Sequence, residues 1–292
     1  MTRVIMPETL ESLWDAMTAA PEARLFCGGT DLLVRHRREG GGSLIGIDRI
    51  AALRGIRYQD GDVVIGAATR FSDILEDPLI RAHLPVLARG VAALASPTIR
   101  AMASIGGNIV TASPAADSLP ALTVLSARLD LASPNAHRTV ALREFITGSH
   151  ATGLRPGEIV TAVRIALAPR PALHHAEKVG QRRMLSGTLV SLAAVIAMDD
   201  DGRIEQASLA FGNLGPTVLV SVEAEAELIG RRLDRDALAA AGVAVRRAAR
   251  PQDDVRASAA YRLRLAGNLL FRLLDPKIPI VAEKYKGRET AE

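Results

Sequence analysis

Residues 102–122 read MASIGGNIVTASPAADSLPAL, and their reading decides what kind of protein this is. Gly106 and Gly107 stand next to each other, followed by Asn108, a run of small residues and one acid, Asp117. Glycine in the interior of a helix or strand lowers stability. Two in succession therefore mark a sharp turn, or a place where something approaches the backbone closely. A second such place lies upstream, FCGGTDLL at residues 26–33. Each glycine pair sits where a strand pattern gives way to a helical one. There the backbone N–H groups of a turn or helix start can converge on one oxygen-rich ligand. Tight turns made only for packing have the same appearance, so the spacing alone leaves both readings open.

The surrounding chain constrains the choice. Its 292 residues suit two or three compact subdomains. At 48% hydrophobic and 23% charged it has the balance of a globular protein. The net charge of +4 comes from basic residues spread among acids, and aromatic residues make up only 3%. Neither feature suits nucleic-acid binding. One cysteine, Cys27, builds no disulfide framework, zinc cluster or iron–sulfur cluster within one chain. No window approaches the roughly 18 consecutive apolar residues of a membrane span, and the N-terminus lacks a signal-peptide pattern, so a cytoplasmic location is expected.

Periodicity supplies the elements. RVIM and ARLFC read as strands, with a helix opening at Pro7–Glu8 between them and another in DLLVRHRREG, stopped by Gly40 to Gly42. SLIGI is the next strand, and Asp60-Gly61 is a hairpin turn between two alternating runs. Leu84, Leu87, Val91 and Leu94 form a helical stripe within residues 71–95. A short helix starts near Ser118, strands follow at ARLDLAS and EIVTAVRIAL with a polar turn over residues 133–137 before the second, and Pro169 with Pro171 suggests a linker. Beyond it LHHAEKVG, GTLVSLAAVIAMD and RIEQASLAFGN predict three antiparallel strands. Helices are predicted over 222–229, 236–250 and 258–274, the last with Ser258 as N-cap and Tyr261, Leu265, Leu269 and Leu273 on one face. The expected division is 1–57, 58–169 and 170–292.

Neither G-x-G-x-x-G after a strand nor G-x-x-x-x-G-K-[ST] occurs, so Rossmann and P-loop sites have no support. His174-His175 is no metal pair, because adjacent strand residues point to opposite faces. Cys27 reads as a small buried residue.

CGGTDLL, together with TIRAMASIGGNIVTASPAADSLPAL, resembles the FAD-binding, or medium, subunit of the molybdenum hydroxylases, the xanthine dehydrogenase, carbon monoxide dehydrogenase and aldehyde oxidoreductase family. The likeness continues through LREFITGSHATGLRPGEIVTAVRI, EKVGQRR and DDVRASAAYR, in the family's order and over nearly the whole chain. It implies an α+β fold: a vanillyl-alcohol-oxidase-like FAD domain of two α/β subdomains, then a C-terminal three-stranded antiparallel sheet with a helical bundle. It also implies which residues hold FAD. Leu25, Phe26, Cys27, Gly28, Gly29, Thr30, Asp31 and Leu32 wrap the pyrophosphate. Ser104, Ile105, Gly106, Gly107 and Asn108 lie over phosphates and flavin. Asp117 meets ribityl-side hydroxyls, and the Val160 backbone and Lys178 are further contacts.

Three positions depart from the family's pattern: Ala101 where relatives often have Asn, Ala176 where an aromatic is usual, and Ser186 where an acid commonly follows the Arg pair. The implied function is electron transfer. Electrons pass from [2Fe-2S] clusters of a small subunit to FAD here and on to NAD+, a quinone or oxygen. The molybdenum cofactor sits on a large subunit, and the assembly is a dimer of heterotrimers. With one Cys the chain cannot carry the clusters itself. No nucleophile–base pair or paired carboxylate stands out, so no catalytic residue is assigned. A stand-alone flavin oxidoreductase of the same fold, acting directly on a small substrate, is the alternative. A scaffold that binds no flavin is a third reading.

Overall fold

The computed structural model describes residues 3–36, 38, 41–167, 172–182 and 186–281. Pro169, Pro171 and part of the glycine stop at 40–42 lie outside the described residues. The chain is mixed α/β and divides into two compact units. One comprises Met1–Asp77, Ala95–Ala112 and Ala127–Ile165, the other Pro78–Leu94, Ser113–Ser126 and Ala166–Glu292.

The first unit begins with a parallel sheet whose strands Val4–Ile5, Leu44–Gly46 and Arg24–Phe26 lie side by side in that order. The helix Leu10–Ala19 starts later than Pro7–Glu8 suggests, because Thr9 is its cap. The Thr9 hydroxyl accepts from the Ser12 N–H and the Ser12 hydroxyl from the Thr9 N–H, a reciprocal box. Leu13 and Ala16 carry that helix into a core with Ile45, Ile50, Leu53, Ala68 and Ile159. A second sheet has the order Ile56–Gln59, Asp62–Gly66, Ile159–Ala166, Arg128–Ser133, Ala136–Ala141. Its first hairpin turns at Asp60 and Gly61 with φ of 53° and 85°, the pair of positive angles that a two-residue turn matched to strand twist requires. The polar turn expected over 133–137 is shorter, since the strand resumes at Ala136.

Glu158 anchors the start of the long strand Ile159–Ala166. The Arg138 guanidinium donates to both Glu158 oxygens at 2.7 Å and to the Gly153 carbonyl at 2.8 Å. That fork holds the Glu158 carboxyl well below its usual range, at about 2. A lowered carboxylate contributes stability that is present above its unfolded value and lost as pH falls through the folded one. Glu158→Gln is therefore expected to lower stability by about 1 kcal/mol at pH 7. The deficit should vanish near pH 2, as read from urea midpoints across that range.

In the second unit, strands Ala172–Gly180, Thr188–Met198 and Ile204–Gly212 form an antiparallel sheet. Among the described residues the sheet has five strands rather than the expected three. Ile280–Val281 and Leu219–Val220 add two-residue edges, too short to leave any alternation in the sequence. On one face Leu173, Val190, Leu192, Ala194 and Ile196 form a core with residues of the helices Val222–Ala226, Arg235–Ala248 and Ala259–Leu269. The helices Pro85–Ala92 and Ser118–Val124 also pack on this sheet. Residues 71–92 form three short helices, since Pro78 and Pro85 each begin a new one. Ser258 does cap the last helix, by accepting from the Tyr261 N–H. Its inner face differs from the expected stripe: Tyr261 is exposed, while Arg262 is 3% exposed and donates to Asp254 at 2.6 Å. A buried arginine on an apolar face is invisible to periodicity, which scores it as solvent-facing.

Candidate functional site

The strand Arg24–Phe26 runs straight into the first glycine pair. Gly29 takes φ of 69°, and the Leu33 N–H returns to its carbonyl at 3.1 Å, so the helix Leu32–His36 starts at once. That geometry leaves the N–H groups of Gly29, Thr30 and Asp31 with no acceptor among the described residues. A Cβ on Gly28 would lie 1.8 Å from the Met102 carbonyl oxygen, so this loop rests directly on the chain leading into the second glycine pair. Two further contacts join these segments: Cys27 hydrogen-bonds with Ser104, and the Thr111 hydroxyl lies 3.4 Å from the Asp31 carboxylate, which also pairs with Arg35. Cys27 is half-buried, and that burial pushes its thiol upward, against the Ser104 contact.

The second pair is built differently from the first. Ser104 caps the helix Ile105–Thr111 by accepting from the Gly107 N–H at 3.2 Å. The N–H groups of Ile105, Gly106 and Asn108 go to the carbonyls of Thr69, Ala67 and Ser104. A Cβ on Gly106 would lie 2.7 Å from the Ala67 carbonyl oxygen. Gly106 thus serves close packing, while Gly107 is exposed on the outer side. The loops bring their residues together, but the run of unpartnered N–H groups belongs to the first alone. Val160 is buried on the strand Ile159–Ala166, beside an irregularity at which the Thr161 carbonyl accepts the Ala67 N–H at 2.9 Å.

Asp117 and Lys178 both belong to the second unit and pair there. Lys178 Nζ donates to Asp117 Oδ2 at 2.6 Å and to the Ala93 carbonyl at 3.2 Å. Asp117 Oδ1 accepts from the Thr188 hydroxyl at 2.5 Å. Asp117 is only 8% exposed, and burial raises its carboxyl above the usual range against the opposing pull of Lys178 and Thr188. Gly90 permits this closeness, for its Cβ would stand 3.1 Å from the Asp117 carbonyl. A small pocket beside the pair is lined by Arg89, Ala93, Ala176, Glu177 and Ser191 among others.

His174 is 2% exposed and pushed down to about 4 by burial. His175 lies between Arg89 (3.4 Å) and Glu177 (3.3 Å). Among the described residues no three His, Cys, Asp or Glu side chains gather as metal ligands. Ala101 is exposed, Ala176 lines the pocket, and the Ser186 hydroxyl accepts from the Gln181 N–H at 2.9 Å.

Known proteins bear on these loops. Residues 1–168 match the family described as the FAD binding domain in molybdopterin dehydrogenase, and residues 175–276 the CO dehydrogenase flavoprotein C-terminal domain. The chain belongs to the FAD-binding medium subunits of the xanthine dehydrogenase and carbon monoxide dehydrogenase family. It is 30% identical over 282 residues to the xanthine dehydrogenase FAD-binding subunit of Escherichia coli O157:H7, covering 95% of this chain and 96% of that one. Identity to the carbon monoxide dehydrogenase medium chain of Afipia carboxidovorans is 32% over 256 residues, 87% of this chain and 88% of the other. A crystal structure of the cyanide-inactivated Cu,Mo-CO dehydrogenase superposes with a TM-score of 0.88 at 30% identity, over 93% of this chain and 96% of that one. The chain is accordingly an FAD-binding flavoprotein subunit of a molybdenum hydroxylase-type dehydrogenase, an oxidoreductase. The donor set fits the cofactor. Three adjacent N–H groups without acceptors among the described residues, on a loop opened by two glycines, suit a diphosphate.

Thr188 and Asn213, which hold Asp117 and its loop, have no signal in the sequence that would have singled them out.

Proposed function

We propose that this subunit is the electron-exit module of a three-component molybdenum hydroxylase. It takes electrons from [2Fe-2S] clusters of a small partner subunit and passes them to NAD+, a quinone or oxygen, while a large partner carries the molybdenum cofactor. A single Cys in 292 residues supports the assignment of the clusters to another chain. The assembly is a dimer of heterotrimers in the cytoplasm; no helix among the described residues is long and apolar enough to cross a membrane.

FAD, when bound, supplies the redox chemistry itself. The chain's own residues bind and orient. Leu25, Phe26, Cys27, Gly28, Gly29, Thr30, Asp31 and Leu32 wrap the diphosphate, with the three N–H groups at Gly29, Thr30 and Asp31 as donors. Ser104, Ile105, Gly106, Gly107 and Asn108 back that loop and offer the exposed Gly107 edge. Asp117 accepts from ribityl-side hydroxyls, and the Val160 backbone and Lys178 add contacts. Along the chain, residues 1–57 and 58–169 are the two FAD-binding subdomains of vanillyl-alcohol-oxidase type, and 170–292 the C-terminal sheet and helical bundle. The meeting point of the two family matches, between 168 and 175, supports that last boundary.

The unpartnered N–H run at the first glycine pair carries this reading. A visible absorption spectrum of the purified full chain, with mass identification of what denaturation releases, tests it. Flavin bands and released FAD are expected. A colourless, folded chain that refuses added FAD overturns it.

A further inference from the structure

Strand alternation puts Thr188 on the wrong side of its sheet. Successive side chains of a strand point to opposite faces. Val190, Leu192, Ala194 and Ile196 all enter the core shared with the helices beyond residue 222, so an unbroken strand would send Thr188 there too. Instead its hydroxyl reaches Asp117, whose other oxygen is held by Lys178, a residue paired with Ser191 and thus on the opposite face. The register explains the reversal. Val179 pairs with Val190 but Gly180 pairs with Thr188, so Leu189 is an extra residue, a β-bulge.

The bulge is pinned. Asn213, at φ of 61°, donates its side-chain amide to the carbonyls of Thr188 (2.6 Å) and Leu189 (3.2 Å). Its own N–H goes to the Pro114 carbonyl at 2.9 Å, in the segment that ends at Asp117. Thr188 Oγ1 also lies 3.2 Å from the Ala115 carbonyl; having one proton, it gives that proton to the nearer, charged carboxylate.

From this geometry we infer that Thr188, turned by the Leu189 bulge and locked by Asn213, is a positioning residue that sets the orientation of the Asp117 carboxylate toward the flavin cofactor's hydroxyls. The inference rests on the FAD reading above. With Oδ1 tied to Thr188 and Oδ2 to Lys178, the carboxylate cannot rotate. Each oxygen keeps one free lone-pair direction for a ligand hydroxyl.

The test is FAD affinity of the full chain, from quenching of FAD fluorescence, with thermal midpoints measured alongside. Thr188→Val keeps the shape and removes the hydroxyl; it is expected to weaken FAD about tenfold, the scale of one charge-assisted hydrogen bond. Thr188→Ser keeps the hydroxyl and drops the methyl; it is expected to bind like the wild type even if its midpoint falls. A purely structural Thr188 would reverse that order, sparing the valine variant. Should Thr188→Val not fold, Asn213→Gly, which keeps the left-handed backbone and removes the clamp, is read the same way. Affinity unchanged in Thr188→Val, or in Asn213→Gly where that variant stands in, overturns the positioning role while the FAD reading stands. A wild-type chain that does not bind FAD overturns the reading beneath it.

Discussion

Gly28→Ala is expected to weaken FAD binding about a hundredfold and to lower stability by about 2–3 kcal/mol. The added methyl would sit 1.8 Å from the Met102 carbonyl oxygen and 2.4 Å from its carbon, with the Ala103 nitrogen at 3.0 Å. All three are backbone atoms, so no rotamer change relieves the clash, and one loop must move by more than 1 Å. The Gly29, Thr30 and Asp31 N–H groups ride on the displaced segment. Misplacement of binding groups on that scale costs on the order of a hundredfold. Gly157→Ala is the control. Its φ of 77° strains any non-glycine residue, but nothing lies within 4 Å of the new Cβ. It should cost about 1 kcal/mol and leave FAD binding intact. Equilibrium dialysis against FAD and urea unfolding of both variants check the pair; equal flavin loss in both would show that loop packing at Gly28 is not what holds the site.

The second large effect is expected from Lys178→Met. The Lys178 and Asp117 side chains are 14% and 6% exposed, so removing the ammonium strands a carboxylate with only Thr188 to support it. Breaking a buried pair from one side costs about 3–5 kcal/mol. The sign with pH follows from the direction of the Asp117 shift. Its folded value already lies above the unfolded one because burial outweighs its partners, and removing Lys178 raises it further. For a raised carboxyl, stability is fully present below the unfolded value and lost as pH rises through the folded one. The deficit of the variant should therefore be largest at pH 8 and shrink as the solution is acidified. Urea unfolding of wild type and variant at pH 8 and pH 5 decides it. A deficit that does not change with pH would mean that the lost Lys packing, not the stranded charge, sets the cost.

The two glycine pairs were legible because glycine has one physical signature wherever it stands: removal of a Cβ that would otherwise block a turn or an approach. What each pair does was not legible. The N–H groups of Gly29, Thr30 and Asp31 have no acceptor among the described residues, whereas around Gly106 and Gly107 the N–H groups are consumed by Ala67, Thr69 and Ser104. Those acceptors lie nearly 40 residues upstream or are the cap itself, and spacing does not report on partners so distant. Asp117 stood out as one acid amid small residues. Its engagement with Thr188, about 70 residues away, depends on a one-residue bulge that no period-two pattern contains.

Local order along the chain thus came from local causes. The hairpin at Asp60-Gly61 follows from the φ its residues accept, the cap at Ser258 from a hydroxyl within reach of the Tyr261 N–H, and the long strands from alternation of apolar side chains. Which residues meet came from packing. Arg262 enters an apolar face because Asp254 neutralises it there, Gly28 is glycine because the Met102 carbonyl crosses it, and Thr188 faces Asp117 because Leu189 is one residue too many. A sequence encodes each residue's own preferences directly. Contacts between residues far apart in the chain exist only once the fold has brought them within a few ångströms, and in this protein those contacts hold the proposed flavin-binding groups.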